Sequence, residues 1–299
     1  MAIFVSIIVP VRNDRRGLKS LLESLRCQTY PADRFEVIIV QNCTNDNYQK
    51  LISEYTNVCL LREDSRPNAY TARNAGVALA LSRGEGRGEI LAFTDADCLP
   101  DPRWLEEGIK CLEWDKVDIV AGAIRFNLPD KPTAAQQLDT VLFLQQERNV
   151  RQRQLASTAN LFVKRAVFDR LGLFPDDCES GGDTLVSRRA VLAGFKLVYC
   201  PEAIVMHDQT RTTIPLLQKA FRIGRGIAYR RTLLGKAAEA HGDHPLRELL
   251  KPSKLRARLR QKSLRISPLR FGMMVVLVYL VAATGVAGYA QWRIRSMFR

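Results

Sequence analysis

Up to His207 the chain alternates short apolar runs with stretches of helical periodicity. Phe4–Val11 (FVSIIVPV) reads as a buried strand. A turn over Asn13–Gly17 follows, and Leu18, Leu21, Leu22 and Leu25 then mark one face of a helix. Pro31–Arg34 connects to a second buried strand, Phe35–Val40, and to the polar loop Gln41–Asn47. The pattern then predicts a helix through about Tyr55, a strand over Val58–Arg62, a helix over Thr71–Leu81 and a strand over Ile90–Thr94. The second half is less regular. It predicts helices over Pro102–Glu113, Thr133–Gln146, Arg165–Leu171 and Asp183–Ala193, and strands over Val117–Phe126, Thr158–Lys164, Phe195–Tyr199 and Ala203–His207. Arg148–Gln154 reads as a polar loop, and a basic helix runs from Pro215 to Arg231. Strands separated by helices at this spacing predict an α/β fold with a mostly parallel central sheet.

Ligands of such sheets collect at the carboxyl ends of the strands. Asn13, Gln41–Asn47 and the step Asp95-Ala96-Asp97 all fall there. Two carboxylates on one side of a strand end repel unless a cation or an arginine compensates, and Mg2+ or Mn2+ takes such oxygens while sharing substrate phosphates. Asp183 follows two glycines and opens a helix, so it is either an electrostatically favoured cap or a base for an incoming hydroxyl. His207 ends an apolar strand, as a satisfied core histidine or as a third metal ligand. Arg73 is placed to meet a phosphate, or to pair with Asp95 or Glu85. The glycine-rich Gly84–Gly88 is neither G-x-G-x-x-G nor a P-loop, and the chain has no nucleophile-elbow or HExxH signature. Cys98 reads as a packing residue. Seven cysteines, an odd number without C-x-x-C spacing, suit a reducing compartment and argue against a disulfide framework or a structural zinc site.

Charge changes the picture only when divided along the chain. Residues 1–210 hold 26 Lys and Arg against 28 Asp and Glu, whereas residues 211–270 hold 16 against 3. The basic excess therefore belongs to the tail, where it suits anionic lipid or nucleic acid. Phe271–Ala290 decides between them, because it is twenty residues without a charge, long enough for one helix across a hydrocarbon layer of roughly 30 Å. Tyr289 and Trp292 sit at its far end, where interfacial aromatics collect. The helix either crosses the bilayer or lies in one leaflet. Flanking arginines and lysines place the body at the cytoplasmic (inner) membrane, facing the cytoplasm, with anionic lipid as partner and no nucleic acid. The start of the chain runs directly into a strand pattern and does not resemble a signal peptide.

An ordered set of motifs joins these features. They are VSIIVPVRN at 5–13, CQTYP at 27–31, EVIIVQNCTND at 36–46, TARNAG at 71–76, TDADCLPDPRWLE at 94–106 and GGDTLVSRRAVLAGFKLVYCPEAIVMH at 181–207. Together they resemble the family-2 glycosyltransferases, inverting enzymes that use nucleotide sugars, here of a single-span, membrane-anchored bacterial type. The resemblance implies a GT-A fold, the nucleotide-diphospho-sugar transferase architecture, over 1–230. A basic juxtamembrane segment over 231–270, a hydrophobic membrane helix over 271–290 and a short basic tail over 291–299 complete the chain. It also implies that Pro10, Val11, Asn13 and Asn42 bind the nucleotide, and that Arg73 lies near the donor's nucleotide or phosphates. By the same resemblance Asp95 would contact the ribose or the metal environment, Asp97 and His207 would ligate Mg2+ or Mn2+, Asp183 would be the general base, and Arg222 would help hold the diphosphate. Gln41 and Cys43 stand where the family commonly has aspartate and glycine. The Q-x-x-R-W motif of processive synthases is replaced by QKAFRIGRG at 218–226, so a polymer-extruding synthase is not expected. The expected reaction is transfer of a sugar to a hydroxyl of a glycan or lipid-linked acceptor, in cell-surface or exopolysaccharide synthesis. The alternatives are a metal-dependent nucleotidyltransferase and a non-catalytic membrane-associated scaffold.

Overall fold

The structure is a computed structural model describing residues 3–84, 86–114, 116–208, 212–235, 250–262, 264 and 266–298. Met1, Ala2, Glu85, the stretch 236–249 of the basic segment and Arg299 of the tail lie outside the described residues. The chain divides into two compact units.

The first unit comprises Met1–Arg125, Gln146–Asp177 and Gly182–His207. Its strands belong to an eight-stranded sheet: β1 (Val5–Val11), β2 (Phe35–Asn42), β3 (Val58–Glu63), β4 (Ile90–Thr94), β5 (Cys98–Pro100), β6 (Ile119–Asn127), β7 (Asn160–Lys164) and β8 (Leu197–Asp208), in the order β3-β2-β1-β4-β7-β6-β8-β5. β3, β2, β1 and β4 run parallel, as the alternation of strands and helices predicts. β7 then pairs antiparallel with both β4 and β6, and β5 antiparallel with β8, so the sheet is mixed.

The helices of this unit are α1 (Arg15–Arg26), α2 (Gln49–Ile52), α3 (Ala69–Ser82), α4 (Trp104–Leu112), α6 (Gln146–Arg153), α7 (Arg165–Leu171) and α8 (Gly182–Leu192), while α5 (Ala134–Leu142) belongs to the second unit. Helix α1 starts at Asp14, whose carboxylate accepts the N–H of Gly17 at 2.8 Å, and it buries the four leucines of the apolar stripe. Helix α3 packs closely on the parallel strands because Gly76 leaves room for Ile8: a Cβ there would lie 2.6 Å from the Ile8 side chain.

Three departures from expectation have physical causes. The predicted loop at Arg148–Gln154 is mostly the helix α6, which carries a single buried apolar residue, Val150, and is supported by a Glu147–Arg151 pair one turn apart at 3.1 Å. The two strands expected around Pro201 are one strand, β8. Its neighbour β5 covers it only from Val205 to His207, so Pro201 sits where one edge is open and costs no bond to β5. Cys111 of α4 and Cys200 of β8 are joined as a disulfide. The pair is 89 residues apart and meets only through folding, so no spacing rule reveals it.

Asn160 fixes the far half of the sheet. Its amide donates to the carbonyls of Ala123 at 2.9 Å and Ala203 at 2.8 Å, and its oxygen accepts the indole N–H of fully buried Trp104 at 2.8 Å. Asn160→Ala would leave those buried groups unpaired. It is expected to cost about 2–4 kcal/mol in urea unfolding; a loss below about 1 kcal/mol would show that this hub is dispensable.

The second unit comprises Phe126–Gln145, Cys178–Gly181 and Asp208–Arg299. It contains α5, α9 (Thr213–Leu234), α10 (Pro252–Gln261) and α11 (Pro268–Met297). Its core joins Leu138 and Leu142 of α5, Leu216 and Ala220 of α9, Leu255 and Leu259 of α10, and Met274, Leu277, Val278 and Val281 of α11. The expected helix 271–290 extends by several residues at both ends.

Candidate active site

The residues predicted for nucleotide binding lie where the parallel strands end. Pro10 is half-buried and Val11 buried, in register with Val40 and Gln41. Asn13 adopts a left-handed backbone with φ 53° and accepts a short hydrogen bond from the Thr44 hydroxyl, which ties the loop after β1 to the loop after β2. Asn42 is buried, and its amide nitrogen donates to the carbonyls of Glu63 at 3.0 Å and Arg66 at 2.8 Å, so this nitrogen braces the loop after β3. Tyr48 closes the same wall. Its hydroxyl donates to Asp46 at 2.9 Å and accepts the Asp14 N–H, and burial, followed by the bond to Asp46, pushes the phenol up to about 12. The loop after β1 reaches the acidic step as well, since a Cβ on Gly17 would lie 2.8 Å from the Ala96 carbonyl oxygen.

The two aspartates of the acidic step face different partners. Asp95 accepts the guanidinium of buried Arg73 at 2.5 Å, so of the partners the sequence allowed, Arg73 takes Asp95; Glu85 lies outside the described residues. The Arg73 Nε is buried without a hydrogen-bond partner. Asp97 stands 3.6 Å from Nε2 of His207. The pairing of β5 with β8 creates this meeting, because it sets Cys98 opposite His207. His207 is only 2 % exposed, whereas the Asp97 side chain is 37 % exposed. A ligand could therefore reach the carboxylate while the imidazole anchors the inner side. Asp97, Cys98 and His207 offer ligand atoms within 4.8 Å of one another. Burial, then the charges of Asp95 and Asp97, push the Cys98 thiol well above its usual range, so it stays protonated and packs. The remaining donor set of a carboxylate oxygen and an imidazole nitrogen, open on one side, fits a divalent cation that keeps positions free for phosphate oxygens.

Asp183 sits in the first turn of α8, with its carboxylate held from three directions. One oxygen accepts the Tyr70 hydroxyl at 3.0 Å and the Thr184 N–H at 2.8 Å, and the other accepts the Thr158 N–H at 3.3 Å. Gly182 permits the approach of α8 to α3, since a Cβ there would lie 3.0 Å from the Tyr70 ring. Tyr70 and Arg73 are one turn apart on α3, and the Arg73 guanidinium lies 5.5 Å from the Tyr70 ring centroid. Asp183, Tyr70, Arg73 and Asp95 thus form one connected string. Tyr70 was not singled out by sequence reasoning; its place three residues before Arg73, on the same helical face, was the available signal. Arg222 is exposed on α9 in the second unit.

The chain matches the model of glycosyl transferase family 2 over residues 6–172. It belongs to that family, and it is an enzyme that transfers sugar from nucleotide-sugar donors in glycan biosynthesis. It is 36 % identical over 227 residues to Glycosyltransferase AglE of Haloferax volcanii, covering 75 % of this chain and 72 % of that protein. It is 23 % identical over 234 residues to the O-antigen chain rhamnosyltransferase RfbN of Salmonella typhimurium, covering 74 % and 71 %. Its fold is similar to that of the mannosyltransferase PcManGT from Pyrobaculum calidifontis, solved in complex with GDP-Man and Mn2+, with TM-score 0.65 and 17 % identity over 95 % of this chain and 86 % of that one. The family match ends before Asp183 and His207.

Proposed function

We propose that this glycosyltransferase is a metal-dependent, inverting enzyme that moves a sugar from a nucleoside-diphosphate donor to a hydroxyl of a glycan or lipid-linked acceptor. The observation that carries this reading is the string Asp183–Tyr70–Arg73–Asp95, which joins a hydrogen-bonded carboxylate to the acidic step. Pro10, Val11, Asn13 and Asn42 form the nucleotide side. Asp97 and His207 would hold Mn2+ or Mg2+, and the imidazole favours Mn2+, since Mg2+ sites are built of oxygen. The bound cation supplies positive charge against the diphosphate leaving group. Asp95, oriented by Arg73, completes the negative rim toward the ribose or the metal.

Asp183 takes the proton of the acceptor hydroxyl as its oxygen attacks the anomeric carbon and the bond to the diphosphate breaks on the opposite face. This single displacement inverts the configuration and requires no second carboxylate nucleophile. Tyr70 and the Thr158 N–H keep the carboxylate aimed. The mannosyltransferase with GDP-Man and Mn2+ supports a metal-assisted nucleotide-sugar reaction on this fold, and the O-antigen enzyme supports a cell-surface glycan acceptor. Residues 1–230 form the catalytic domain in this reading. The basic residues of 231–270 and the apolar helix bring it to the cytoplasmic face of the membrane.

The test is a screen of nucleotide sugars with membrane lipid extract as acceptor, with and without Mn2+. The expected result is metal-stimulated release of a nucleoside diphosphate coupled to a glycosylated lipid of inverted anomeric configuration. A product of retained configuration, or release of pyrophosphate from a nucleoside triphosphate instead, would refute the reading.

A further inference from the structure

Helix α11 is apolar on two opposite faces, and only one of them is used inside its unit. Met274, Leu277, Val278, Val281 and Gly288 are buried. The outward side exposes Leu269, Met273, Val276 and Leu280 at helical spacing, and Val286 and Ile294 farther along. From Leu269 to Ile294 this side extends for roughly 38 Å, far beyond the scattered apolar side chains that water-facing helices carry.

The buried face shows how the helix meets a membrane. Helix α9 lies along it at close range: a Cβ on Gly224 would collide with the Gly285 carbonyl, and one on Gly288 with the Phe221 carbonyl. Tyr229 meets Trp292 edge-on with ring centroids 6.0 Å apart. Helix α9 is basic. Lys219 pairs with Asp139 at 2.8 Å, Arg225 with Glu179 at 2.9 Å, and Arg222 is exposed. Were 271–290 to cross the bilayer, these ion pairs would enter the hydrocarbon with it, which charged groups resist. Helix α10 packs on the same core and exposes Lys254, Arg256 and Arg260, with Arg256 over the Phe271 ring at 4.5 Å.

We propose that α11 does not span the membrane but lies in the plane of an anionic lipid surface, its outward apolar stripe in the acyl boundary and the cations of α9 and α10 among the headgroups. With one side of α11 covered by α5, α9 and α10, the helical unit as a whole presents an apolar side beside basic helices, the combination that holds an element at an anionic interface. The placement goes beyond the sugar-transfer reading and does not depend on it.

The test uses the full chain with an epitope at each end, in sealed inverted membrane vesicles treated with protease. An in-plane helix leaves both epitopes on the same side, so both are cleaved or both protected together. Cleavage of one with protection of the other would mean that α11 crosses, and would overturn the proposal. Flotation with phosphatidylcholine vesicles, with and without phosphatidylglycerol, supplies the second arm. Wild type is expected to float with the phosphatidylglycerol vesicles, and the double variant Val276→Glu/Val286→Glu to lose at least about tenfold in bound fraction while keeping its helical circular dichroism. Wild type that ignores both vesicles and instead forms a dimer broken by these glutamates would show that a second copy covers the stripe, which also overturns the proposal. Donor turnover by the detergent-solubilised enzyme separates either failure from a failure of the catalytic reading.

Discussion

Asp97→Ala is expected to lower Mn2+-stimulated sugar transfer by about a thousandfold, equivalent to about 4 kcal/mol of transition-state stabilisation. The aspartate stands 3.6 Å from His207 and, unlike that histidine, is reachable from solvent. Its loss would leave a buried imidazole as a lone nitrogen ligand, too few donors for a hard cation. The protein itself should fold, because Asp97 is partly exposed and lies outside the core. Initial rates across a Mn2+ titration check the prediction; an unchanged rate at saturating Mn2+ would move the metal elsewhere.

Asp183→Asn is the second large effect. It preserves the shape and most hydrogen bonds of the side chain but removes the proton acceptor. A general base contributes about a hundredfold to ten-thousandfold, so kcat should fall in that range while donor binding is retained. The alternative sequence reading, a helix-capping aspartate, predicts a different outcome: asparagine caps helices about as well as aspartate, so activity and stability would both survive. Measuring kcat together with the unfolding midpoint of the variant separates the two. Tyr70→Phe belongs to the same experiment. It removes one of three bonds to the carboxylate, and a smaller loss of kcat is expected because Thr158 and Thr184 still hold the group.

The parallel half of the fold was legible because its signals are local. Ile90–Thr94 and Arg165–Leu171 have the bounds that the hydrophobic pattern predicts, and the leucine stripe of α1 is fully buried. The acidic step could be placed at a strand end because the apolar run before it is continuous. The contacts that turn it into a site were less visible. Strand β5 is three residues long and exists only through its pairing with β8, yet that pairing brings Asp97 and His207 together. Tyr70 looks like any aromatic at a helix start until α8 is folded against it, more than a hundred residues later in the chain. Helix α6 hides because an ion pair one turn apart, rather than apolar periodicity, supports it, and the disulfide hides because its cysteines are separated by most of the second half of the domain. The amphipathic logic of α11 was obscured for the opposite reason: a helix apolar all round shows no moment, and only the packing of α9 reveals which face is spare.

In the proposed reaction Asp97 and His207 hold a cation for a nucleoside diphosphate. Calorimetric titration of nucleoside diphosphate into the protein, with and without Mn2+, tests it most directly when wild type, Asp97→Ala and His207→Ala are compared. Mn2+ is expected to tighten binding to wild type at least about tenfold, and either substitution to abolish this gain while metal-free binding persists. Binding to wild type that is indifferent to Mn2+, or a gain that survives both substitutions, would contradict it.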